Sequence, residues 1–193
     1  MKTASFVAVT LVCAAFWAGP AAAQAVSGTS PVRSDTRGLG IGVQLNGMRV
    51  LSDQSRMVPG AGLGLTLSYG TSDALSVFAR GSMGYRMSQL DVGARYRLGN
   101  PSSALRPYVE ASVSRFGALR PPLESTAGES VRAWGLGMTV GAGVEYHVSP
   151  RLGLDLGVSH TEGRFRTPTL PGEAAFRETL SSTRFQVGVT WRP

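Results

Sequence analysis

The residues best suited to acid–base chemistry lie next to one another late in the chain. His160, Thr161 and Glu162 bring together an imidazole, a hydroxyl and a carboxylate. A hydroxyl nucleophile needs an imidazole base and a carboxylate that orients the imidazole ring. The segment is therefore a candidate for hydrolysis. The alternative is that His160 is a polar surface histidine with no catalytic role.

Metal and thiol chemistry find little support in the sequence. The other histidine, His147, lies in a predicted turn at the opposite end of the strand pair, so no histidine pair is available for a metal. The one cysteine, Cys13, lies in an N-terminal apolar run that we expect to be removed on export. We expect no metal, no cofactor and no disulfide.

Arginine carries nearly all of the positive charge. The formal net charge is +7, and every basic residue after Lys2 is an arginine. Guanidinium forks bind phosphate through paired hydrogen bonds, so Arg164 and Arg166 in the long polar segment after His160 are candidates for phosphate contacts. Glutamates interspersed among these arginines leave an ordinary solvated surface as the alternative. No basic run with interleaved aromatic residues occurs, and we expect no nucleic-acid binding.

The N-terminus has the composition of an export signal. Lys2 is followed by the apolar run Phe6–Trp17 and by the small residues Ala21–Ala23. We predict cleavage after Ala23 or Ala25. The predicted organisation is a signal peptide over 1–23, a flexible periplasmic lead-in over 24–37 and one barrel domain over 38–193.

The elements that must position these residues are strands. Apolar residues recur at every second position from Trp134 to Tyr146, and the pattern resumes over Leu152–Ser159 after a short turn. Strict alternation predicts a strand with one apolar face and one small or polar face. Eight such segments predict an all-β fold, an eight-stranded antiparallel up-and-down transmembrane β-barrel. The predicted strands are Gly38–Gly47, Gly60–Gly70, Ala74–Gly84, Gln89–Leu98, Arg106–Arg115, Trp134–Tyr146, Leu152–Ser159 and Thr183–Trp191.

The predicted connections alternate between long loops and short turns, except that the connection after the third strand, Tyr85–Ser88, is also short. Long loops are predicted over Met48–Pro59, Phe116–Arg132 and Thr161–Ser182. Long loops on one rim and short turns on the other are typical of outer-membrane barrels.

Alternation alone leaves open which face is inside. A soluble carrier barrel has apolar residues inside, whereas a membrane barrel has them outside. We favour the membrane arrangement because Gly, Ser and Thr suit the narrow lumen of eight strands, and because charges of both signs on that face can pair as a polar core. The predicted lumen charges are Arg80, Asp91, Arg95, Arg97, Glu110, Glu145, Asp155 and Arg184.

Aromatic residues support the same arrangement. Tyrosines and tryptophans near strand ends suit the headgroup level of a membrane, and four of them fall on one rim if the strands alternate in direction. The predicted interfacial girdle consists of Tyr69, Tyr96, Tyr146, Trp191 and Trp134.

The order and spacing of three segments carry a family resemblance. Arg106–Ala111, Val140–Tyr146 and Leu152–Ser159 resemble the small bacterial outer-membrane β-barrels, the OmpA/OmpX-like or porin-family eight-stranded proteins. The resemblance covers Gly38–Trp191. It implies a bacterial outer-membrane location, with outer-membrane lipid and lipopolysaccharide as partners.

The resemblance also implies insertion by the barrel-insertion machinery. Gln186, Gly188 and Trp191 match the family's C-terminal assembly signal, whereas Pro193 stands in place of its final aromatic residue.

Three functional hypotheses follow from the sequence. The first is a non-enzymatic, monomeric surface protein that supports the envelope or contacts an unidentified ligand through its long loops, and not a wide pore. The second is an enzyme that uses His160, since His160–Glu162 resembles the site of barrel-shaped lipid A deacylases, with Thr161 in place of their serine. The third is a soluble, lipocalin-like periplasmic binder. We favour the first hypothesis and assign no catalytic residue.

Overall fold

The computed structural model describes residues 36–52, 55–84, 87–120, 131–166 and 177–193. The predicted signal peptide and most of the predicted lead-in lie outside these residues. The eight strands are β1 (Gly38–Ser52), β2 (Ser55–Gly70), β3 (Leu75–Gly84), β4 (Met87–Arg97), β5 (Leu105–Arg120), β6 (Val131–His147), β7 (Leu152–Arg166) and β8 (Arg177–Trp191).

Each strand pairs antiparallel with its neighbours in the chain, and β8 pairs with β1 to close the barrel. Ile41 lies opposite Trp191 in that closing pair. Closure pairs every strand on both sides, so no strand edge is left open. The predicted eight-stranded up-and-down barrel is confirmed.

Apolar and charged residues are distributed over the two faces of the barrel as in a membrane protein. Leu65 and Val140 are 64% and 61% exposed, whereas Arg80 and Asp91 are both 0% exposed. Along the strand centres, alternation places the aliphatic residues outside and the paired charges inside. The soluble-carrier hypothesis is therefore wrong, because such a barrel needs its apolar residues in the centre. No helix among the described residues is long and apolar enough to cross a membrane.

The strands extend further at one end than the sequence pattern predicts. β1 and β2 continue into the predicted loop Met48–Pro59, and β5 to β8 continue into Phe116–Arg132 and Thr161–Ser182. The predicted long loops are wrong to that extent, because backbone pairing with a neighbour extends a strand even where apolar alternation has stopped. The remaining parts, 53–54, 121–130 and 167–176, lie outside the described residues.

The opposite end of the barrel is closed by short connections, which we call the turn rim: residues 71–74, 98–104 and 148–151. Gly99 has a φ of +80°, which favours glycine in its turn. The chain enters the barrel at this rim. Thr36 is buried, and its hydroxyl donates to the carbonyl oxygen of Asp73 at 2.9 Å.

Two aromatic side chains of β5 cross the lumen and face glycines of β6 and β7. Tyr108 occupies the space that a Cβ atom would need at Gly143 and Gly157. The Phe116 ring does the same at Gly135 and Gly163. Glycine is needed at these positions because the aromatic rings fill the interior of a narrow barrel.

Candidate functional site

The centre of the lumen is a network of ion pairs around Glu110. Arg80 donates to both carboxylate oxygens of Glu110, at 2.7 and 2.9 Å. Arg95 donates to Glu110 at 2.9 Å and to Asp155 at 2.7 Å, so it bridges two carboxylates. All four side chains are buried. Charges can be held in such an interior because each has an opposite partner and hydrogen bonds.

Tyr108 completes this central network. Its hydroxyl donates to Asp155 at 3.0 Å, and the Arg95 guanidinium lies 3.7 Å from its ring centroid. Gln186 donates to the Tyr108 hydroxyl at 3.1 Å. The sequence analysis missed Tyr108 and Gln186 as lumen residues, although their period-two phase matches that of Glu110 and Arg184.

A second network lies on the side away from the turn rim. Arg184 lies 2.8 Å from Asp91, which also accepts hydrogen bonds from Ser114 at 2.6 Å and Gln89 at 2.7 Å. Gln89 also donates to the Thr161 hydroxyl at 3.2 Å. Thr161 therefore belongs to the lumen.

The remaining predicted lumen charges lie toward the turn rim. The Arg97 Nε atom donates to the Glu145 Oε2 atom at 2.7 Å. The structure thus places all eight predicted lumen charges inside the barrel. It adds three residues that were not predicted there, Arg106, His147 and Arg192, all buried. His147 is the last residue of β6 and points inward; it does not lie in a turn as predicted.

The lumen offers little free space. A cavity of about 20 Å³ lies beside Arg95, Arg97, Arg192 and several hydroxyl groups. Such a volume holds about one water molecule.

The candidate catalytic segment is split between the two faces of β7. His160 lies on the outer face, whereas Thr161 points into the lumen and is 2% exposed. Thr161 therefore cannot act as a nucleophile for His160. This correction follows from the period of two, which sends neighbouring residues of a strand to opposite sides.

A different set of side chains surrounds His160 on the outer face. The Nδ1 atom of His160 lies 3.2 Å from the Thr183 hydroxyl, and its Nε2 atom lies 3.4 Å from the Ser181 hydroxyl. A Glu162 carboxylate oxygen lies 3.6 Å from the same Nε2 atom. Ser181 and Thr183 were not predicted because cross-strand pairing brings them from β8.

Arg164 and Arg166 lie in β7 and not in a loop as predicted. Arg164 lies on the outer face, exposed, in the same row as His160 and Glu162. The side chain of Arg166 lies outside the described residues.

The chain matches the family model described as the outer membrane protein beta-barrel domain over residues 10–192. The protein belongs to this family. No curated protein is significantly similar to the chain. Among solved structures, Neisserial surface protein A (NspA) is similar, with 18% identity and a TM-score of 0.62 over 80% of this chain and 97% of that chain.

Two further outer-membrane proteins share the fold. OprG from Pseudomonas aeruginosa has 14% identity and a TM-score of 0.55, covering 83% of this chain and 98% of that one. Ail of Yersinia pestis has 13% identity and a TM-score of 0.50, covering 80% and 99%. The resemblance inferred from the sequence is confirmed, and so is the bacterial outer-membrane location.

Because the chain belongs to this outer-membrane family, the outer face of its barrel contacts lipid. Four predicted girdle residues, Tyr69, Tyr96, Tyr146 and Trp191, lie on that face near the turn rim. Trp134 lies on the same face toward the opposite end of β6, where Arg115 is 5.9 Å from its ring. The outer row of β8 changes from apolar to polar between Phe185 and Thr183.

Proposed function

We propose that the protein is a non-catalytic, monomeric surface protein that supports the envelope through contacts with lipopolysaccharide and surface ligands. One observation carries the proposal: the centre of the lumen is filled by paired charges and aromatic rings, while polar side chains are presented on the outer wall. A filled lumen leaves the outside of the barrel as the surface on which the protein acts. The closed barrel has no open strand edge and therefore needs no partner to satisfy its backbone.

The outer wall of β7 and β8 supports a lipopolysaccharide contact. Beyond Phe185 and Val158 the outward residues are Thr183, Ser181, His160, Glu162 and Arg164. This polar row follows Phe185 and Val158 on the outer wall, and we propose that it meets the phosphorylated headgroups of lipopolysaccharide. Arg164 presents a guanidinium fork there, which can bind phosphate through two hydrogen bonds.

The last strand, β8, carries the residues that match the family's signal for insertion into the membrane. Gln186, Gly188 and Trp191 lie on β8, the last strand to close against β1. We infer that the barrel-insertion machinery reads this strand. The five aromatic residues of the predicted girdle would then hold the inserted barrel at the headgroup levels.

Lipopolysaccharide binding by purified protein in detergent tests the proposal. We expect R164Q to lower the affinity for phosphorylated lipopolysaccharide about 10- to 150-fold, which corresponds to the loss of one hydrogen bond to a charged group. R151Q makes the same charge change in an exposed turn at the other rim and should leave the affinity unchanged. Equal binding by the wild-type protein and R164Q would refute the contact.

Lipid hydrolysis is a second candidate function, favoured by the outer-face group of His160, Ser181 and Glu162. Its geometry is incomplete, because Ser181 and Glu162 both approach Nε2 while Nδ1 faces a hydroxyl. A catalytic triad places the carboxylate on the nitrogen opposite the nucleophile. Mass spectra of lipid A from cells with the wild-type protein and with S181A decide the matter: deacylated lipid A lost in S181A would establish the enzyme.

A further inference from the structure

The buried charges of the lumen balance in the centre but not at the turn rim. In the centre, Arg80, Arg95 and Arg184 face Asp91, Glu110 and Asp155. Toward the turn rim lies a group that we call the mouth cluster: Arg97, Arg106, His147, Arg192 and Glu145. It holds three arginines and one carboxylate. Arginine stays protonated in proteins, so the mouth cluster carries a surplus of two positive charges.

Glu145 is fully occupied within the mouth cluster. One of its carboxylate oxygens accepts from Arg97 Nε at 2.7 Å, and the other accepts from Arg192 Nη2. His147 Nε2 lies 3.9 Å from the second oxygen, beyond hydrogen-bond distance. Among the described residues, a second carboxylate at this end belongs to Asp73, which lies 3.4 Å from Arg37 and is within electrostatic range of Arg106.

Arg106 has no such partner. It is 0% exposed, and none of its three guanidinium nitrogens has a hydrogen-bond partner in the part of the chain that the structure describes. Arg106 lies opposite Glu145 in the pairing of β5 with β6, but that carboxylate is bound elsewhere. A buried charge without a partner destabilises the folded state, and a bound counter-ion would remove that cost for the Arg106 guanidinium.

Other polar groups without hydrogen-bond partners lie beside Arg106, namely an imidazole ring, which has one N–H donor when neutral, and a second guanidinium. Both ring nitrogens of His147 and the Nη1 atom of Arg192 lack hydrogen-bond partners among the described residues, and both residues are buried. His147 follows Glu145 by two positions on the lumen face of β6, and its backbone N–H donates to the carbonyl oxygen of Ala104 at 2.7 Å, so its ring neighbours Arg106 across the β5–β6 pair. Unpaired donors from β5, from the end of β6 and from the segment after β8 therefore share one small region.

We propose that the mouth cluster is a binding site for a phosphate-class oxyanion, either inorganic phosphate or the headgroup of a phosphate monoester. Such an anion carries a charge of about −1.5 to −2 near neutral pH, which matches the surplus. Its oxygens accept two parallel hydrogen bonds from the Arg106 fork and further bonds from His147 and Arg192. The site lies beside the short turns, on the periplasmic end of the barrel. Arg106 and His147 are covered in the structure, so groups at the turn rim must move aside to admit the anion.

Unfolding of the full chain in an alkyl maltoside detergent tests the site. Urea titrations are run in chloride buffer and with sodium phosphate or glycerol 3-phosphate at matched ionic strength. At about ten times Kd, a ligand that binds only the folded state raises the folding equilibrium constant about 11-fold. We expect this rise in the wild-type protein and in R151Q, and not in R106M.

The outcomes separate the possibilities. A rise with inorganic phosphate alone identifies the free anion, and an equal or larger rise with the ester identifies a monoester headgroup; either supports the site. No rise beyond that with chloride, or the same rise in R106M, overturns it.

A second readout covers the case in which R106M fails to fold. The chain has two histidines, so a spectrum of histidine-labelled wild-type protein has two imidazole signals, and H160Q assigns them. Phosphate should move the His147 signal and leave the His160 signal in place. A His147 signal that responds equally to chloride and phosphate overturns the proposal.

Discussion

Single residues in this protein have roles that depend on the far side of the lumen. Glu110 satisfies two arginines from two other strands, and Tyr108 reaches Asp155 and Gln186 across the barrel. Removing one member of such a network leaves the others buried without a partner, which is costly in a lumen of low dielectric. The identity of each lumen residue is therefore constrained by the strands opposite to it.

Gly157 gives a direct test of this constraint. A Cβ atom at Gly157 would collide with the Tyr108 hydroxyl and lie 2.9 Å from Gln186 Nε2. We expect G157A to destabilise the barrel by about 1–3 kcal/mol, the usual cost of overpacking. Urea unfolding in detergent micelles measures the change.

The matched control is G81A, because a Cβ atom at Gly81 meets nothing within 4 Å. Its stability should be close to that of the wild-type protein. In the double mutant G157A/Y108F the colliding hydroxyl is gone, so the combined loss should be smaller than the sum of the single losses. Strictly additive losses would show that Tyr108 is not the cause.

At the scale of elements, each strand has one face toward lipid and one face toward the lumen. β8 presents Phe185, Val187, Val189 and Trp191 to lipid, and Arg184 and Gln186 to the lumen. A membrane strand needs about 9–11 residues, whereas β5 has 16 and β6 has 17. We expect the extra length to carry the strand ends past the apolar belt, and the extended end of β7 presents Arg164 and the His160 group.

The position of the belt can be tested on β8. V187R places a charge on the outer face between Phe185 and Val189, and we expect a loss of about 2–4 kcal/mol in folding into phospholipid vesicles. T183R changes the same face of the same strand beside His160, where the cost should be about 0–1 kcal/mol. Equal losses for the two variants would place the edge of the belt elsewhere.

At the scale of the whole molecule, the closed barrel combines an apolar outside with a solid polar inside. The cavity beside Arg95 and Arg97 has a volume of about 20 Å³, which holds about one water molecule. The fold anchors the chain in the outer membrane, and we expect that it does not form a wide pore.

Liposome swelling checks this conclusion. Liposomes that contain the folded protein should swell in arabinose no faster than empty liposomes, because the Glu110 network and the Tyr108 ring block the lumen. A large porin in parallel liposomes provides the positive control. Swelling above the level of empty liposomes would contradict a filled lumen.

Alternation of residue types was sufficient to predict the number of strands, their order and the face to which each residue belongs. Leu65, Val140 and Arg95 lie where the period of two places them, since neighbouring side chains of a strand must point to opposite sides. The same rule would have placed Arg106, Tyr108 and Arg192 in the lumen. The strand ends were not predicted, because cross-strand hydrogen bonds extend β1, β2 and β5 to β8 into segments without apolar alternation.

The sequence by itself was therefore enough to predict a barrel in an outer membrane. The period of two, the small and charged residues on one face of each strand and the family resemblance can all be read from the chain without knowing its tertiary contacts. The tertiary structure alone decided which charges meet, because strand register and closure bring together residues far apart in the chain, as with Arg80 and Glu110. It moved Thr161 away from His160 and brought Ser181 beside it. It also left Arg106 without a partner, and the proposed anion site rests on that residue.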